Sequence, residues 1–217
     1  MLAPASVGAG VYAAWQRRLA AAVDSLAIPA AVRPHVRALP LSVAVEWLQH
    51  PPAELGPDAA ATRDSLLLGA LSAAVADLTE RLGPEMAGWR YGQPAYRHAL
   101  LRHPLGALVP DSLRRRLDVG PLPRGGDAHT VGAGGGVDNQ TSGASFRIVV
   151  DVGDWDASLG TSTPGQSGDP RSPHYRDLFE LWSKGRYFPI FYSRARVESV
   201  TEHTQMLQPA STGAGQR

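Results

Sequence analysis

The chain changes its periodicity near Gly120, and that switch limits the folds open to it. Before it, apolar residues recur at spacings of three and four; after it, they alternate or thin out into glycine. Val11 to Leu26 places Trp15, Leu19, Ala22, Val23 and Leu26 on one stripe, which predicts a helix ended by Pro29 and Pro34. "LPLSVAVEWLQHPP" predicts a short helix stopped by Pro51 and Pro52. Pro57-Asp58 opens a long helix through Leu82, with Ala60, Leu67, Leu71, Val75, Leu78 and Leu82 as its expected buried side. Gly83-Pro84 closes it, because glycine and then proline cannot continue a helix.

From Gly120 to Gly143 the chain is rich in glycine. "DAHTVGAG" reads as a strand, and "SFRIVVDV" as a clearer one. In the latter, Phe146, Ile148, Val150 and Val152 face one way and Ser145, Arg147 and Asp151 the other. "SLGTST" is a third strand, "YRDLFELWSKG" a helix ending at Gly185, and "SVTEHTQML" a last strand. The expected class is therefore α+β: a helical portion over 1–119, antiparallel strands with one late helix over 120–208, and a disordered tail over 209–217, together one incomplete domain.

Several functions are disfavoured by composition. With 217 residues and 43% hydrophobic content there is enough for one sizeable core. A net charge of +1 gives no pull toward nucleic acid or an acidic membrane surface, and Arg114-Arg115-Arg116 reads as the solvated face of a short turn. The absence of cysteine excludes disulfides, thiolate catalysis and cysteine zinc sites. No apolar run is long enough to span a bilayer, and "MLAPASVGAGVYAAWQRRLAAAV" lacks the charged-then-apolar layout of a signal peptide.

The local candidates for chemistry are thin. His129 follows Asp127, and His98 and His103 lie five apart, with no HExxH and no carboxylate partner in sequence, so no metal is expected. "GAGGG" at Gly132–Gly136 lacks the following GK[ST] of a phosphate loop and reads as a strand connection. In "GQSGD" a serine-hydrolase elbow around Ser167 fails where Asp169 replaces the final glycine. The alternative is a turn. Gly165 and Gly168 would permit positive φ, Ser167 and Asp169 would bond nearby amides, and Ser172 or Asp169 would cap a helix starting near His174.

Longer segments carry more. "PGQSGDPRSPHYRDLFELWSKGRYFPIFYSR", with Gly165, Gln166, Ser167, Gly168, His174, Tyr175, Asp177 and Trp182, resembles the C-terminal signature of the penicillin acylase (penicillin amidase) family. "WRYGQPAYRHALLRHPLG" resembles that family's Trp/Tyr-Gly segment and His-Pro-Leu, here through Trp89, Gly92, His103 and Pro104. "GGDAHTVGAGGGVDNQTSGASFRIVVDV" resembles its Gly-Asp-x-x-Thr-Val block and Ser-aromatic-Arg strand, here through Gly126, Asp127, Thr130, Ser145 and Arg147. The motifs keep the family order over nearly the whole chain to Pro209. Where relatives commonly carry asparagine after Thr-Val, this chain has Gly132.

The resemblance implies the αββα sandwich of N-terminal-nucleophile hydrolases. It implies that a serine exposed by self-cleavage attacks an amide, with its own α-amine as base. It also implies partners: the rest of the catalytic chain and a small chain. Relatives are usually periplasmic or extracellular and often bind calcium. The nucleophilic Ser-Asn-Asn segment is absent here, and the single asparagine, Asn139, is in the wrong context for the oxyanion donor, so no catalytic residue carries over. Asp127, Asp138, Asp151, Asp154 and Asp156 show no EF-hand-like spacing and read as turn caps. The expectation is the C-terminal fragment of a linear-amide hydrolase, inactive alone, its motif residues serving as scaffold. Two rivals stand beside it: a non-catalytic module that binds a partner or acyl ligand, and an independent hydrolase using Ser167 with His129 or His174.

Overall fold

The computed structural model describes residues 2–93, 98–136 and 138–209. Helix α1 is Val7–Ala27, α2 is Leu41–Gln49 and α3 is Ala59–Leu82. Each long helix starts on a side-chain cap. Ser6 Oγ accepts from Ala9 N at 3.1 Å, and Asp58 Oδ1 accepts from Ala61 N at 2.9 Å, each satisfying a first-turn amide. Gly83 then ends α3 at φ 84°. No helix is long and apolar enough to cross a membrane among the described residues.

Helices α1 and α3 pack on each other through small residues. Ala14, Ala74, Leu78 and Trp89 form one buried cluster, and Leu19, Val23, Ala44 and Ala70 a second that takes in α2. The buried stripe of α3 is thus shifted from the expected one. Ala70, Ala74 and Leu78 are buried, while Leu71 and Val75 are exposed; in α1, Leu26 is exposed too. Alanines face the partner helix because they let the two backbones approach, and the larger residues turn outward. Trp15 Nε1 donates to Leu67 O at 3.0 Å across this interface, and Arg18 pairs with Asp77 at its rim. Past the end of α3, α1 meets the following turn tightly at Gly10, where a Cβ would stand 2.1 Å from the carbonyl oxygen of Trp89.

Beyond the helices, β1 (Ala99–Leu101) pairs antiparallel with β2 (Val119–Leu122), so β2 itself runs across residue 120. Between them lies α4, Asp111–Leu117, with Arg114, Arg115 and Arg116 in its last turn, where cations complement the helix dipole. This replaces the expected short turn. A second antiparallel sheet has the order β3 (Arg147–Val149), β4 (Leu159–Thr161) and β5 (Phe188–Pro189). Helix α5, Phe179–Ser183, sends Phe179 and Trp182 into a cluster with Ala99, Val119 and Tyr175.

Four expected elements differ. "DAHTVGAG" is a turn rather than a strand: Thr130 N and Gly134 N both donate to Asp127 O, so the amides close locally instead of pairing with a neighbour. "SFRIVVDV" holds ladder geometry only over Arg147–Val149, because Asp151 N is drawn to Ser158 Oγ and the Asp151 carboxylate turns the chain through Gly153 and Asp154. The late helix is shorter than expected, with Tyr175 in a separate 3-10 turn, Pro173–Tyr175. "SVTEHTQML" forms no strand. Ser199 ends helix α6, Arg194–Ser199, and residues 201–209 are exposed without a ladder partner among the described residues. Of the expected tail, all but Pro209 lies outside the described residues.

Two glycine substitutions test this packing in opposite directions. Gly69 lies exposed in α3 with nothing within 4 Å of an added Cβ, so Gly69→Ala should raise unfolding stability by about 0.5–1 kcal/mol. Gly10→Ala should lower it by about 1–3 kcal/mol as α1 is pushed off Trp89. Urea denaturation followed by tryptophan fluorescence reads both.

Candidate functional site

The matched segments, far apart in sequence, converge on one buried polar chain of contacts. At its centre is Trp182, almost fully buried, whose Nε1 donates to Ala144 O at 2.7 Å. The Arg124 guanidinium lies over its ring, 4.0 Å from the centroid. Arg124 Nη2 donates to Gly132 O at 3.0 Å, and Nη1 donates to Gln140 Oε1. Gln140 Nε2 continues to Gly126 O at 2.7 Å, which also accepts from the Tyr91 hydroxyl at 2.6 Å. Tyr91 stacks on His98 at 4.0 Å, and Gln140 N donates to His98 O at 2.6 Å.

The electrostatics follow from burial. Burial, with Arg147 nearby, brings the Arg124 pKa down to about 10, so the guanidinium remains charged at neutral pH. Burial also depresses His98 to about 4, with Arg17 adding to the effect against Asp138, which leaves a neutral imidazole near pH 7. Asp138 bridges Arg17 and Arg81 at 3.0 and 2.9 Å; their charge outweighs the burial that alone would raise its pKa.

The remaining motif residues serve the same frame. Trp89 is buried and donates Nε1–H to Gly83 O at 2.8 Å; Gly92 N donates to Pro4 O at 2.8 Å. His103 caps the 3-10 turn that opens at Pro104, its Nδ1 accepting from Leu105 N at 3.1 Å. Thr130 Oγ1 accepts from Asp127 N at 2.9 Å and donates to Asp127 O at 2.8 Å. Arg147 Nη2 donates to Trp182 O at 3.0 Å, while Ser145 sits exposed at a bend before β3. Tyr175 is buried, which raises its pKa, and its hydroxyl donates to Leu117 O at 2.6 Å.

The segment around Ser167 is a built turn. Gln166 N and Ser167 N both donate to His174 O, at 2.8 and 3.1 Å. Ser167 Oγ accepts from Asp169 N, Asp169 Oδ1 from Arg171 N, and Ser172 Oγ from His174 N. Gly165 and Gly168 are not at positive φ, contrary to expectation. Gly165 is required instead by space, since a Cβ there would stand 2.2 Å from His174 O. His174 Nδ1 pairs with Asp177 Oδ2 at 2.8 Å on the surface. No hydrogen bond joins the Ser167 hydroxyl to a histidine nitrogen among the described residues; His129 lies elsewhere, its amide held by Asp127 Oδ1.

A cleft of about 270 Å³ opens between α1 and residues 126–140, bordered by Arg17, His98, Asp127, His129, Asp138 and Gln140. The five aspartates contact backbone amides and arginines. Asp127 Oδ1 accepts from His129 N, Asp138 is held by two arginines, Asp151 Oδ1 accepts from Gly153 N and Asp154 N, Asp154 Oδ1 from Asp156 N, and Asp156 Oδ1 from Tyr192 N and Ser193 N. No three metal-ligating side chains gather among the described residues.

Arg124 and Gln140 carry no motif signal, because arginine and glutamine are by default surface residues. The signal that points to them is the glycine density around them. A Cβ on Gly132 would meet Arg124 Nη2 at 2.2 Å, and one on Gly134 would meet Gln140 Oε1 at 2.0 Å. "GAGGG" is the space these two side chains occupy.

The fold and site define an α+β protein whose ordered motifs build a frame of helices and antiparallel strands. The penicillin amidase family model matches residues 1–199, and the chain belongs to that family. It is 32% identical over 166 residues to the acyl-homoserine lactone acylase QuiP of Pseudomonas aeruginosa, covering 68% of this chain and 19% of that protein. It is 38% identical over 152 residues to the penicillin acylase 2 proenzyme of Pseudomonas sp. strain SE83, covering 68% of this chain and 18% of that protein. The chain thus spans about a fifth of the length of these relatives. The thermostable penicillin G acylase of Alcaligenes faecalis aligns over 95% of this chain and 39% of its own, with 18% identity and a TM-score of 0.48.

The Gly132 position supplies the test of this frame. Arg124→Ala should cost about 3 kcal/mol by orphaning Gln140 Oε1 and Gly132 O. Gly132→Asn should be destabilising with Arg124 present and nearly silent once Arg124 is alanine. A double-mutant cycle from urea denaturation should give a coupling of about 1–3 kcal/mol between the two positions.

Proposed function

We propose that this chain is the C-terminal part of the catalytic chain of a penicillin-acylase-like amidohydrolase, contributing scaffold rather than catalytic groups. Its strands would form part of an αββα sandwich completed by the rest of the catalytic chain and a small chain. The reaction would be hydrolysis of a linear acyl amide. A serine elsewhere in the assembly would attack the carbonyl and pass its hydroxyl proton to its own α-amine, whose pKa near 8 suits that task at neutral pH. An acyl-enzyme would form with release of the amine, and water would then free the acid.

The observation that carries this reading is the occupation of Ser167. Its oxygen accepts from the Asp169 amide within a local turn, and no histidine nitrogen bonds to the hydroxyl among the described residues. Family membership and the exposed apolar residues of the β3 segment, Phe146, Ile148, Val150 and Val152, support the same reading: this is a sheet that others complete.

A chimera is the direct test. The chain replaces the segment it matches in the Pseudomonas sp. strain SE83 penicillin acylase 2 proenzyme. The chimera should process itself and turn over a chromogenic phenylacetyl amide, while the chain alone shows only background hydrolysis. Turnover by the chain alone, abolished by Ser167→Ala, would overturn the reading in favour of an independent serine hydrolase.

A further inference from the structure

Two guanidiniums flank Trp182, and neither meets a carboxylate. Arg124 lies over the indole, and Arg147 Nη2 donates to the Trp182 carbonyl at 3.0 Å. Among the described residues, every ion pair between an arginine and a carboxylate belongs to other arginines. The two cations are near enough that Arg147 helps to lower the Arg124 pKa. Like charges in a partly dry interior, with no acid beside them, call for a negative partner.

Arg124 has its donors matched inside the frame by Gly132 O and Gln140 Oε1. Arg147 does not. Its Nη2 is taken by Trp182 O and its guanidinium carbon lies 5.5 Å from the Tyr187 ring centroid, but its Nε–H is buried with no acceptor among the described residues. Thr161 stands directly opposite Arg147 in the β3-β4 ladder. Opposed residues of an antiparallel pair share one face of the sheet, with Cβ atoms about 4.5–5.5 Å apart. Thr161 is 0% exposed, and its Oγ1 also has no partner among the described residues. A buried N–H and a buried hydroxyl are each costly to leave unpaired, and such groups in a folded chain point to a bound water or ion. Both groups donate, and the charge around them is positive.

We propose that a small monovalent anion, a halide or the carboxylate of a short acid, binds between Arg147 Nε and Thr161 Oγ1 on the face of the sheet turned to α5. The Nε–H and the hydroxyl both donate to it, and its charge answers the pair of guanidiniums beside Trp182. Water would take the two hydrogen bonds and leave that charge unanswered. The site goes beyond the scaffold role and does not depend on the parent reaction.

Chloride is the probe, read through its NMR line, which broadens when the ion exchanges with a protein site. The wild-type chain should broaden the line more than Arg147→Met at equal protein concentration, and formate should reverse the excess by competition. Thr161→Val keeps the side-chain shape and removes the hydroxyl, so it should weaken chloride at least tenfold. Arg63→Met, at a surface pair with Asp64, should bind as the wild type does. Circular dichroism checks each fold, and Thr161→Val carries the comparison where Arg147→Met unfolds. Equal broadening by wild type and Thr161→Val, or broadening that formate leaves in place, would overturn the proposal. So would a Thr161→Val chain that melts above the wild type in chloride buffer, because valine then removes an unpaired buried hydroxyl and nothing else. None of these outcomes bears on the chimera assay, so the two readings fail separately.

Discussion

The position of Arg124 over Trp182 is the contact on which the rest of the molecule depends. A guanidinium buried this deeply is costly unless its donors are matched and its charge is received. Here a carbonyl, a glutamine oxygen and an indole face do so. Those partners come from three separate stretches: Gly132, Gln140 and Trp182. Satisfying one side chain therefore fixes a loop, a second loop and a helix at once.

The helical layer is joined to this knot from the other side. Tyr91 leaves the turn beneath α1 and α3 and donates to the same Gly126 carbonyl that Gln140 reaches. Close packing around Gly10 and Trp89 sets where that turn lies. Small residues govern both regions for the same reason: alanines let two helices approach, and glycines make room for an arginine and a glutamine. By contrast, the β3 edge is apolar without being packed, which is why the molecule reads as finished around Trp182 and open at Val149.

Much of the architecture was legible in the sequence where a local rule applies. Asp58 and Gly83 sit at helix ends as capping chemistry requires, the period of three and four located α1 and α3, and Pro51-Pro52 bounded α2, whereas the Ser6 cap starts α1 four residues before the expected Val11. The turn at Ser167 was readable because serine and aspartate bond to amides within two residues of themselves. What stayed hidden was set by distant partners. Which stripe of α3 is buried depends on how closely α1 approaches, so Ala70 and Ala74 displaced Leu71 and Val75. In the strand expected from Asp127, the amides of Thr130 and Gly134 turn back on Asp127 O instead of joining a ladder among the described residues. Arg124 and Gln140 gave no pattern of their own, and only the empty space at Gly132 and Gly134 betrays them.

The functional reading follows from the same physics. The polar groups that look reactive in the sequence hold the frame: Ser167, Asp127, Asp151, Asp154 and Asp156 accept from backbone amides, and Asp138 pairs with Arg17 and Arg81. Arg124 makes the loops and α5 one cooperative unit, while α1 and α3 stand on their own packing. Amide hydrogen exchange in the wild type and in Arg124→Met tests it most directly. Protection should fall together across residues 126–136, 138–144 and 179–183, with α1 and α3 unchanged. Loss spread evenly over α1 and α3 as well, or protection retained across 126–136 and 138–144, would contradict it.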